Sequence, residues 1–295
     1  MGRKAKRELS AKELRIRKKK RRRRLLIAEG IILVLLVAVL FVWLKVGMIS
    51  FEELDTQTND LDEETQKVME EYITVAIFGV DNRSNGNYDS GNSDSIMIAN
   101  IDNNTGEIKI VSVYRDTCMD VDGDDTLRKC NYAYNHGGAE EAVNMLNRNL
   151  DLDIDGYVAV DFYALVGAID ALGGVEIELT SQEARIMNQS YIDLTADIVG
   201  KKSSHVTAGV HNLDGVQAVS YCRVRYTAGG DFERAQRQRE VLSKMAEKLK
   251  TASVSQLLDL IDEVFPSIST SFNLADILEM APQMQNYQLV DTQGY

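Results

Sequence analysis

The order of apolar and polar positions predicts a series of strands and helices after residue 71. Runs of β-branched and aromatic residues predict strands at 72–80, 95–101, 107–114, 157–161 and 175–179. Helical spacing of apolar residues predicts helices at 138–150, 163–172, 215–222, 232–250, 254–264 and 273–284. The segment 103–106, Asn-Asn-Thr-Gly, is a hairpin signal between the second and third strands. Strands interleaved with helices favour a layered α/β or α+β domain.

The longest apolar run, residues 25–44, predicts a different kind of element. About twenty apolar residues span a bilayer core as a helix, and the one charged residue in the run, Glu29, lies near its start. The residues before it, 15–24, are nearly all basic, which would hold that side in the cytoplasm. We therefore predict a membrane helix at 25–46 with the body of the chain outside the cytoplasm. The alternative, a cleaved signal peptide, usually has an apolar region of only about 7–15 residues.

Charge divides the chain at the same segment. Of the 295 residues, the first 24 include 14 basic and 2 acidic ones, whereas the remainder include 19 basic and 43 acidic ones. An acidic body argues against a nucleic-acid-binding globule. Membrane topology and contact with anionic lipid explain the basic arm at 1–24 more simply than nucleic acid does. The acidic segment 47–71 is expected to be a stalk or a short amphipathic helix leaving the membrane.

Acidic residues stand where the first strand ends and the second begins. Asp81 and Arg83 follow the first strand, and Asp94 immediately precedes the second. Since the two strands are expected to be neighbours, Asp81 and Asp94 could converge as the carboxylate ligands of a hard cation such as Mg²⁺. The alternative is that both are aspartates that cap loops, a common place for this residue. The spacing by itself leaves both interpretations open.

Arginines stand at the ends of other predicted elements. Arg115 and Asp116 follow the third strand, and alternation along an extended segment would place Arg223 and Arg225 on one side. Helical spacing places Arg234 and Gln238 on the buried stripe of the helix at 232–250, where they need partners or a cavity. A phosphate-binding site is one explanation. Structural ion pairing within an acidic domain is the other.

The chain has three cysteines and no paired metal-binding motif. In an oxidising exterior, Cys118 and Cys130 could form a disulfide, which would leave Cys222 unpaired. The three histidines are scattered, so metal ligation by them is not expected.

Seven ordered stretches together resemble the LytR-CpsA-Psr family of cell-envelope glycopolymer transferases. They cover about residues 72–250: FGVDNR (78–83), SDSIMIANID (93–102), IVSVYRDT (110–117), NYAYNHGGAEEAVNMLNRNLDLDIDGYVAVDF (131–162), VGAIDALGGVEIEL (166–179), AGVHNLDGVQAVSYCRVR (208–225) and GDFERAQRQREVL (230–242). The basic arm followed by one membrane helix is also typical of this family. The resemblance therefore predicts a catalytic domain at 72–250, followed by a C-terminal helical extension at 251–295.

The resemblance implies an α-β-α layered domain with a mixed central sheet at the outer face of the cell membrane. It also implies Mg²⁺-assisted transfer of an anionic glycopolymer, such as teichoic acid or capsule polysaccharide, from a polyprenyl pyrophosphate carrier to peptidoglycan. By position, Asp81 and Asp94 resemble the family's metal and acid/base carboxylates. Seven residues resemble the family's diphosphate-binding set: Arg83, Arg115, Asp116, Arg223, Arg225, Arg234 and Gln238. Of these, Arg115, Arg223 and Arg225 also resemble its catalytic residues.

This chain departs from the family pattern at Asn92, where the family usually has an arginine. The family also commonly continues beyond the point where this chain stops. We expect the helices that carry Leu165, Ile169, Val219 and Met245 to line an apolar channel for the polyprenyl tail. Two other functions stay open: hydrolysis of polyprenyl diphosphate with water as acceptor, and a non-catalytic envelope regulator that binds glycolipid.

Overall fold

Eleven strands make up the β-structure of the described residues, and seven of them form one central sheet. The computed structural model describes residues 49–83, 85–89, 91–225, 230–280 and 286–294, together with Gly47 and Gln283. The strands are β1 (Ser50–Phe51), β2 (Tyr72–Asp81), β3 (Asn92–Asp102), β4 (Glu107–Val113), β5 (Cys118–Asp120), β6 (Leu127–Lys129), β7 (Gly156–Val160), β8 (Val175–Leu179), β9 (Gly209–Leu213), β10 (Ile268–Thr270) and β11 (Gln288–Gly294). Every strand predicted from the sequence is present.

The central sheet has the order β1-β10-β7-β2-β3-β4-β11. Strand β3 is antiparallel to both β2 and β4, whereas β7 is parallel to β2 and β11 is parallel to β4. The sheet is therefore mixed, as predicted. Strands β5 and β6 form a separate antiparallel pair, and so do β8 and β9. The strand predicted at 175–179 thus lies outside the central sheet.

The helices also follow the sequence pattern closely. They are α1 (Glu63–Met69), α2 (Tyr132–Leu150), α3 (Phe162–Ala171), α4 (Ser181–Ile186), α5 (Ile192–Val199), α6 (Gly215–Cys222), α7 (Gly230–Lys250), α8 (Val254–Val264) and α9 (Leu274–Met280), with a π-helical turn at Met187–Tyr191. Helix α2 bends at Gly137 and Gly138, where the prediction began. The polar stretch between β8 and α6 gave no helical signal, yet it holds α4 and α5.

Helices cover both faces of the central sheet. Successive residues of β2 point to opposite faces. Phe78 is fully buried and its ring packs edge-on against Tyr134 of α2 at 5.4 Å between centroids. Val75 belongs to the cluster on the other face, against which Leu242 of α7 packs. The predicted α-β-α layering is therefore confirmed.

The segment predicted as an acidic stalk lies against this sheet. Strand β1 pairs with β10, and Leu54 packs on the core beneath α2. The main-chain N–H of Gln57 donates to Asn144 Oδ1 of α2 at 2.7 Å. The stalk expectation is corrected for this part, because these contacts tie the chain from residue 50 onward to the body.

The segment 251–295 supplies strands as well as helices. Strand β10 pairs with β7, and β11 pairs with β4 at the opposite edge of the sheet. The extension holds the predicted helices α8 and α9, but the prediction of helices alone missed the two strands that it adds to the central sheet. Residues 48–295 form one compact unit.

The membrane helix predicted at 25–46 and the basic arm at 1–24 lie outside the described residues. Within the described ranges, no helix is both long enough and apolar enough to cross a bilayer.

The expected disulfide does not form. Cys118 and Cys130 are both free, the first exposed and the second buried. Cys118 lies opposite Lys129 in the β5–β6 pair, so Cys130 falls one residue beyond the facing position. The Cys130 thiol instead donates to the carbonyl oxygen of Tyr114 at 3.2 Å. Its burial raises the pKa of Cys130 to about 12.

Candidate active site

A cavity of about 430 Å³ opens beside the carboxyl end of β2 and the start of β3, and helices α3, α6 and α7 contribute to its wall. One part of its lining is charged and the other is apolar. The predicted site residues that line it are Asp81, Asp94, Arg115, Arg223, Arg225, Arg234 and Gln238.

Asp94 lies at the centre of the charged part. Its carboxylate is 2.8 Å from Arg115, 3.1 Å from Arg225 and 3.2 Å from Arg234. Arg234 also donates to the main-chain oxygen of Asp94 at 2.7 Å. Arg115 is more than 100 residues from Arg225 and Arg234 in the sequence, and Asp94 contacts all three.

Asp231 is a second anion of this cluster, and sequence reasoning missed it. It lies 3.8 Å from Arg115, 3.7 Å from Arg225 and 3.4 Å from Arg234. A signal was present, because Asp231 precedes Arg234 by three residues in the first turn of α7, where side chains three apart are neighbours.

The arginines still have unused donors. The Nε atoms of Arg115 and Arg234 are buried and make no hydrogen bond with any residue in the described part of the chain. A buried donor without an acceptor is costly unless a ligand supplies one. The cluster therefore has the donors to bind an anion that carries several oxygen atoms.

The pKa of the buried Arg234 is lowered, whereas that of Arg115 is raised. Arg234 has a side chain only 6% exposed, and the loss of solvent lowers the pKa of Arg234 despite its proximity to Asp94. For Arg115, burial also favours the neutral form, but attraction to Asp94 and the hydrogen bond between them leave the pKa of Arg115 raised. Asp94 therefore keeps Arg115 firmly protonated.

Arg223 is held by aromatic rings rather than by a carboxylate. Its guanidinium lies over the rings of Phe162 at 4.8 Å and Tyr191 at 5.5 Å, and it donates to Thr195 Oγ1 at 2.9 Å. Burial is the main reason that the pKa of Arg223 is lowered, and the charge of Asp81 opposes the shift. Planar stacking fixes the guanidinium without neutralising it.

The expectation of an extended segment at 221–226 is corrected. Helix α6 continues to Cys222, and Arg223 itself has helical backbone angles (φ −94°, ψ −9°). Arg223 and Arg225 nevertheless line the same cavity. They reach it from the residues directly after α6 ends at Cys222, so strand alternation is not the cause.

Asp81 differs from Asp94 in making no direct contact with an arginine among the described residues, although its charge acts on Arg223. Asp81 ends β2 opposite Asn92 of β3, and both side chains line the cavity. Within the described ranges, the Asp81 carboxylate forms no hydrogen bond or ion pair, whereas both oxygens of Asp94 face arginines. The two predicted carboxylates do converge on one cavity, and Asp81 is the one with free ligand capacity.

These carboxylates fit a magnesium ion better than a metal held by protein alone. The described residues contain no group of three or more His, Cys, Asp or Glu side chains that could hold a metal. Mg²⁺, however, is commonly held by one or two carboxylates together with substrate phosphates and water. Asp81 and Asp94 on one cavity wall match that donor set.

Two predicted residues do not reach the cavity. The Arg83 side chain is exposed beyond the end of β2. Asp116 forms an ion pair with Lys129 at 2.7 Å, and that contact holds the pKa of Asp116 below its ordinary value. Asn92, where the family pattern has an arginine, does line the cavity.

The opposite part of the cavity is apolar. Leu165, Val219 and Met245 line it as predicted, together with Met97 and Leu242. Ile169 does not, because it is fully buried among the other core residues of α3 and α6. The cavity thus joins a cationic end to an apolar end.

Helix α7 is anchored next to this cavity by a buried ion pair. Arg237 Nε donates to Glu183 Oε1 of α4 at 2.8 Å, with side chains only 7% and 10% exposed. Glu183 also completes a capping box with Thr180 at the start of α4. The first turns of α7, which carry Arg234 and Gln238, are therefore fixed to α4.

Known proteins are similar to this chain in sequence and in fold. A polyisoprenyl-teichoic acid–peptidoglycan teichoic acid transferase, TagU, from Enterococcus faecalis is 30% identical over 85% of this chain and 80% of its own length. A crystal structure of a Streptococcus agalactiae protein has a TM-score of 0.66 at 24% identity and covers 80% of each chain. The structure of TagT bound to LIIa-WTA has a TM-score of 0.61 at 23% identity and covers 84% of this chain and 86% of its own. The model of the LytR_cpsA_psr family matches residues 41–293, and this chain therefore belongs to that family.

Proposed function

We propose that this chain transfers an anionic glycopolymer from a polyprenyl diphosphate carrier to peptidoglycan. The name of its Enterococcus faecalis relative describes transfer of teichoic acid from polyisoprenyl-teichoic acid to peptidoglycan by that protein. The observation that carries the proposal is the cavity, which joins an arginine cluster with unused buried donors to an apolar end. A polyprenyl diphosphate has the matching chemistry, an anionic head on a hydrocarbon tail.

Each end of the cavity then has a role. Arg115, Arg225 and Arg234 bind the diphosphate oxygens, and their preformed positions stabilise the charge that develops during transfer. Leu165 and Met245 lie along the polyprenyl tail. The rings of Phe162 and Tyr191 hold the Arg223 guanidinium in place at the cavity. Among the described residues no carboxylate forms an ion pair with it, so its charge is available to phosphate.

Asp81 is the group positioned to accept a proton. A peptidoglycan hydroxyl attacks the phosphorus that carries the glycopolymer, the bond from that phosphorus to the bridging oxygen breaks, and polyprenyl monophosphate leaves. The hydroxyl proton passes to the unpaired Asp81 carboxylate. A Mg²⁺ ion held by Asp81 and Asp94 would supply further neutralisation of the diphosphate charge.

The location of the reaction follows from the proposed anchor. The apolar run at 25–46 spans the membrane, the basic arm stays in the cytoplasm, and the cavity works outside the membrane, where carrier and peptidoglycan meet.

The test uses the full-length chain in detergent with a polyprenyl diphosphate-linked teichoic acid, peptidoglycan and Mg²⁺. We expect transfer that falls at least about 100-fold in Arg223→Ala/Arg225→Ala, because two donors to the developing charge are lost. Arg128→Ala is the control, since Arg128 pairs with Asp122 at 2.9 Å and does not line the cavity. Full activity of the double variant would overturn the proposed site.

Omission of peptidoglycan separates the proposal from hydrolysis. A transferase releases little polyprenyl monophosphate without its acceptor, whereas a hydrolase releases it at the full rate. A regulator that only binds glycolipid would release none under either condition. If Asp81 and Asp94 hold Mg²⁺, a chelator should abolish transfer. Addition of Mg²⁺ should then restore it.

A further inference from the structure

Two asparagine side chains line the cavity and have no role in the reaction described above. Asn92 is exposed at the start of β3, and Asn131 is half-buried immediately before α2. Asn131 occupies the N-cap position of α2, yet its side chain makes no capping hydrogen bond there. An asparagine at this position commonly caps the helix. An amide that lines the cavity instead is available to a ligand.

A β-bulge at Asp94 turns Asn92 toward the cavity. The pairing of β3 with β2 passes from Ser95 directly to Ser93, so Asp94 is the extra residue of the bulge. The extra residue shifts the alternation of side chains by one position, and Asn92 therefore lines the cavity as Ser95 does. Asn92 stands opposite Asp81 in the register, so its amide lies beside that carboxylate.

The start of α2 brings Asn131 to the same part of the cavity. The main-chain N–H of Gly91 donates to Asn135 Oδ1 at 3.3 Å, which ties the residue before Asn92 to the first turn of α2. Asn131 precedes Asn135 by four residues, a spacing that places both on one face of the helix. The main-chain N–H of Asn131 donates to the carbonyl oxygen of Arg115 at 3.2 Å. The two amides therefore border one part of the cavity, next to the arginine cluster.

The strands show which end of the cavity this is. Three pairs of facing residues line it, from the interior of the sheet to the strand ends: Ile77 with Met97, Gly79 with Ser95, and Asp81 with Asn92. At about 3.3 Å per residue, Asp81 lies about 13 Å along β2 from Ile77. On β3, Asp94 and its arginines stand between Met97 and Asn92. The polar end is thus on the far side of the arginine cluster from the apolar part.

The geometry of the transfer assigns this polar end to the attacking group. In-line displacement places the attacking oxygen opposite the leaving oxygen, and the leaving polyprenyl monophosphate extends into the apolar part. The attacking hydroxyl therefore approaches from the side of Asp81. The groups beside that carboxylate are neutral amides, each with two donors and one acceptor. Such groups match the hydroxyl and acetamido groups of a neutral sugar.

We infer that Asn92 and Asn131 form the subsite for the acceptor, an N-acetylated sugar of peptidoglycan, and hold its hydroxyl beside Asp81. This inference rests on the proposed function, because it takes peptidoglycan as the acceptor. The charge of Asp81 favours this occupant over the donor's glycan. A carboxylate repels an anionic glycopolymer, whereas it accepts a hydrogen bond from a neutral sugar.

The experiment measures KM separately for the two substrates of the full-length protein. The donor is a polyprenyl diphosphate-linked teichoic acid, and the acceptor is soluble, uncrosslinked peptidoglycan strands. We expect Asn92→Ala and Asn131→Ala each to raise KM for the strands by about two- to tenfold, the range for one lost hydrogen bond. KM for the donor should not change. Asn104→Ala is the matched control, because Asn104 is exposed in the turn after β3 and does not line the cavity.

Three outcomes would overturn the inference. A rise in KM for the donor alone, or an equal rise for both substrates, would assign the amides to the donor. An unchanged KM for the strands in the double variant Asn92→Ala/Asn131→Ala would remove the subsite. A fall in kcat with both KM values unchanged would show that the amides position other protein groups and do not bind the acceptor. Absence of any transfer to peptidoglycan by the wild-type protein would instead contradict the proposed function.

Discussion

At the scale of single residues, Asp94 decides the charge balance of the cavity. It faces three arginines, one of which, Arg234, has a side chain only 6% exposed. Of the two interpretations left open by the sequence, ion pairing is observed, and ligand binding by the same group stays a prediction. Asp94 holds the cations together, while the Nε atoms of Arg115 and Arg234 make no hydrogen bond in the described part of the chain.

Asp94→Asn should destabilise the protein by about 3 kcal/mol, because the buried Arg234 guanidinium then keeps only the longer contact with Asp231 as its counter-ion. Inorganic pyrophosphate should then raise the melting temperature of the variant more than that of the wild type, since the added anion replaces the lost charge. Thermal unfolding with and without pyrophosphate measures both effects. Asp124→Asn is the control, because Asp124 pairs with Arg128 at 3.3 Å on the surface and does not line the cavity. Equal stability of Asp94→Asn and wild type would contradict this account.

The ion pair between Glu183 and Arg237, which anchors α7, makes the stability of the protein sensitive to acid. Burial alone would raise the pKa of Glu183, but hydrogen bonds from Thr180 and Arg237 lower it below the ordinary 4.5. A carboxyl whose pKa is depressed on folding stabilises the protein above its unfolded pKa. That contribution is lost as the pH falls through the lower folded value.

Glu183→Gln should therefore be less stable than the wild type at pH 7. Below about pH 4.5 the difference should shrink, because the wild type loses the same charge there. Urea unfolding at a series of pH values measures the difference. Glu176→Gln, at an exposed position of β8, should leave the pH dependence unchanged. A difference that stays constant down to pH 3 would show that the charge of Glu183 is not the cause.

At the scale of elements, the close approach of α3 and α6 shapes the apolar part of the cavity. Gly215 begins α6, and a Cβ atom there would clash with the main chain of Val166 in α3. Leu165 and Val219, one from each helix, line the cavity. The absence of a side chain at Gly215 therefore sets the separation of two cavity walls.

Gly215→Ala should cost about 1–3 kcal/mol, the usual effect of forcing extra volume into a packed interior. That loss outweighs the gain in helix propensity, since backbone atoms cannot move aside as side chains can. Gly167→Ala is the matched control on α3. Its Cβ would lie 3.1 Å from the nearest atom, the Cβ of Glu263, whereas at Gly215 the Cβ would overlap the main-chain oxygen of Val166. Equal losses in the two variants, measured by urea unfolding, would rule out the backbone clash as the cause.

At the scale of the whole molecule, segments from both ends of the described chain complete one sheet. Strands β1 and β11 form its two edges, and β10 lies between β1 and β7. The family resemblance ended near residue 250, yet the sheet needs the strands that follow. Pairings between such distant segments depend on the whole chain being folded.

The folded body also determines which thiols react. Native protein should be labelled by iodoacetamide at Cys118 alone, because Cys118 is exposed whereas Cys130 and Cys222 are buried. Burial raises the pKa of both buried thiols to about 12, so they are also protonated at neutral pH. Intact mass spectrometry without reductant should find one label in native protein and three after unfolding. A single label after unfolding without reductant, on Cys222, would show that Cys118 and Cys130 are bridged and would contradict the free thiols.

The sequence by itself determined five of the eleven described strands and most helices, because apolar spacing and caps such as Asp214 act over a few residues. It also identified seven polar or charged residues and three apolar residues that line the cavity. Tertiary structure alone decided that Asp94 gathers the arginines while Asp81 stays unpaired, that Asp231 joins them, and that Arg83 and Asp116 stay outside. It also separated Cys118 from Cys130. Each of these outcomes depends on which side chains meet across the fold, and local pattern carries no information about such distances.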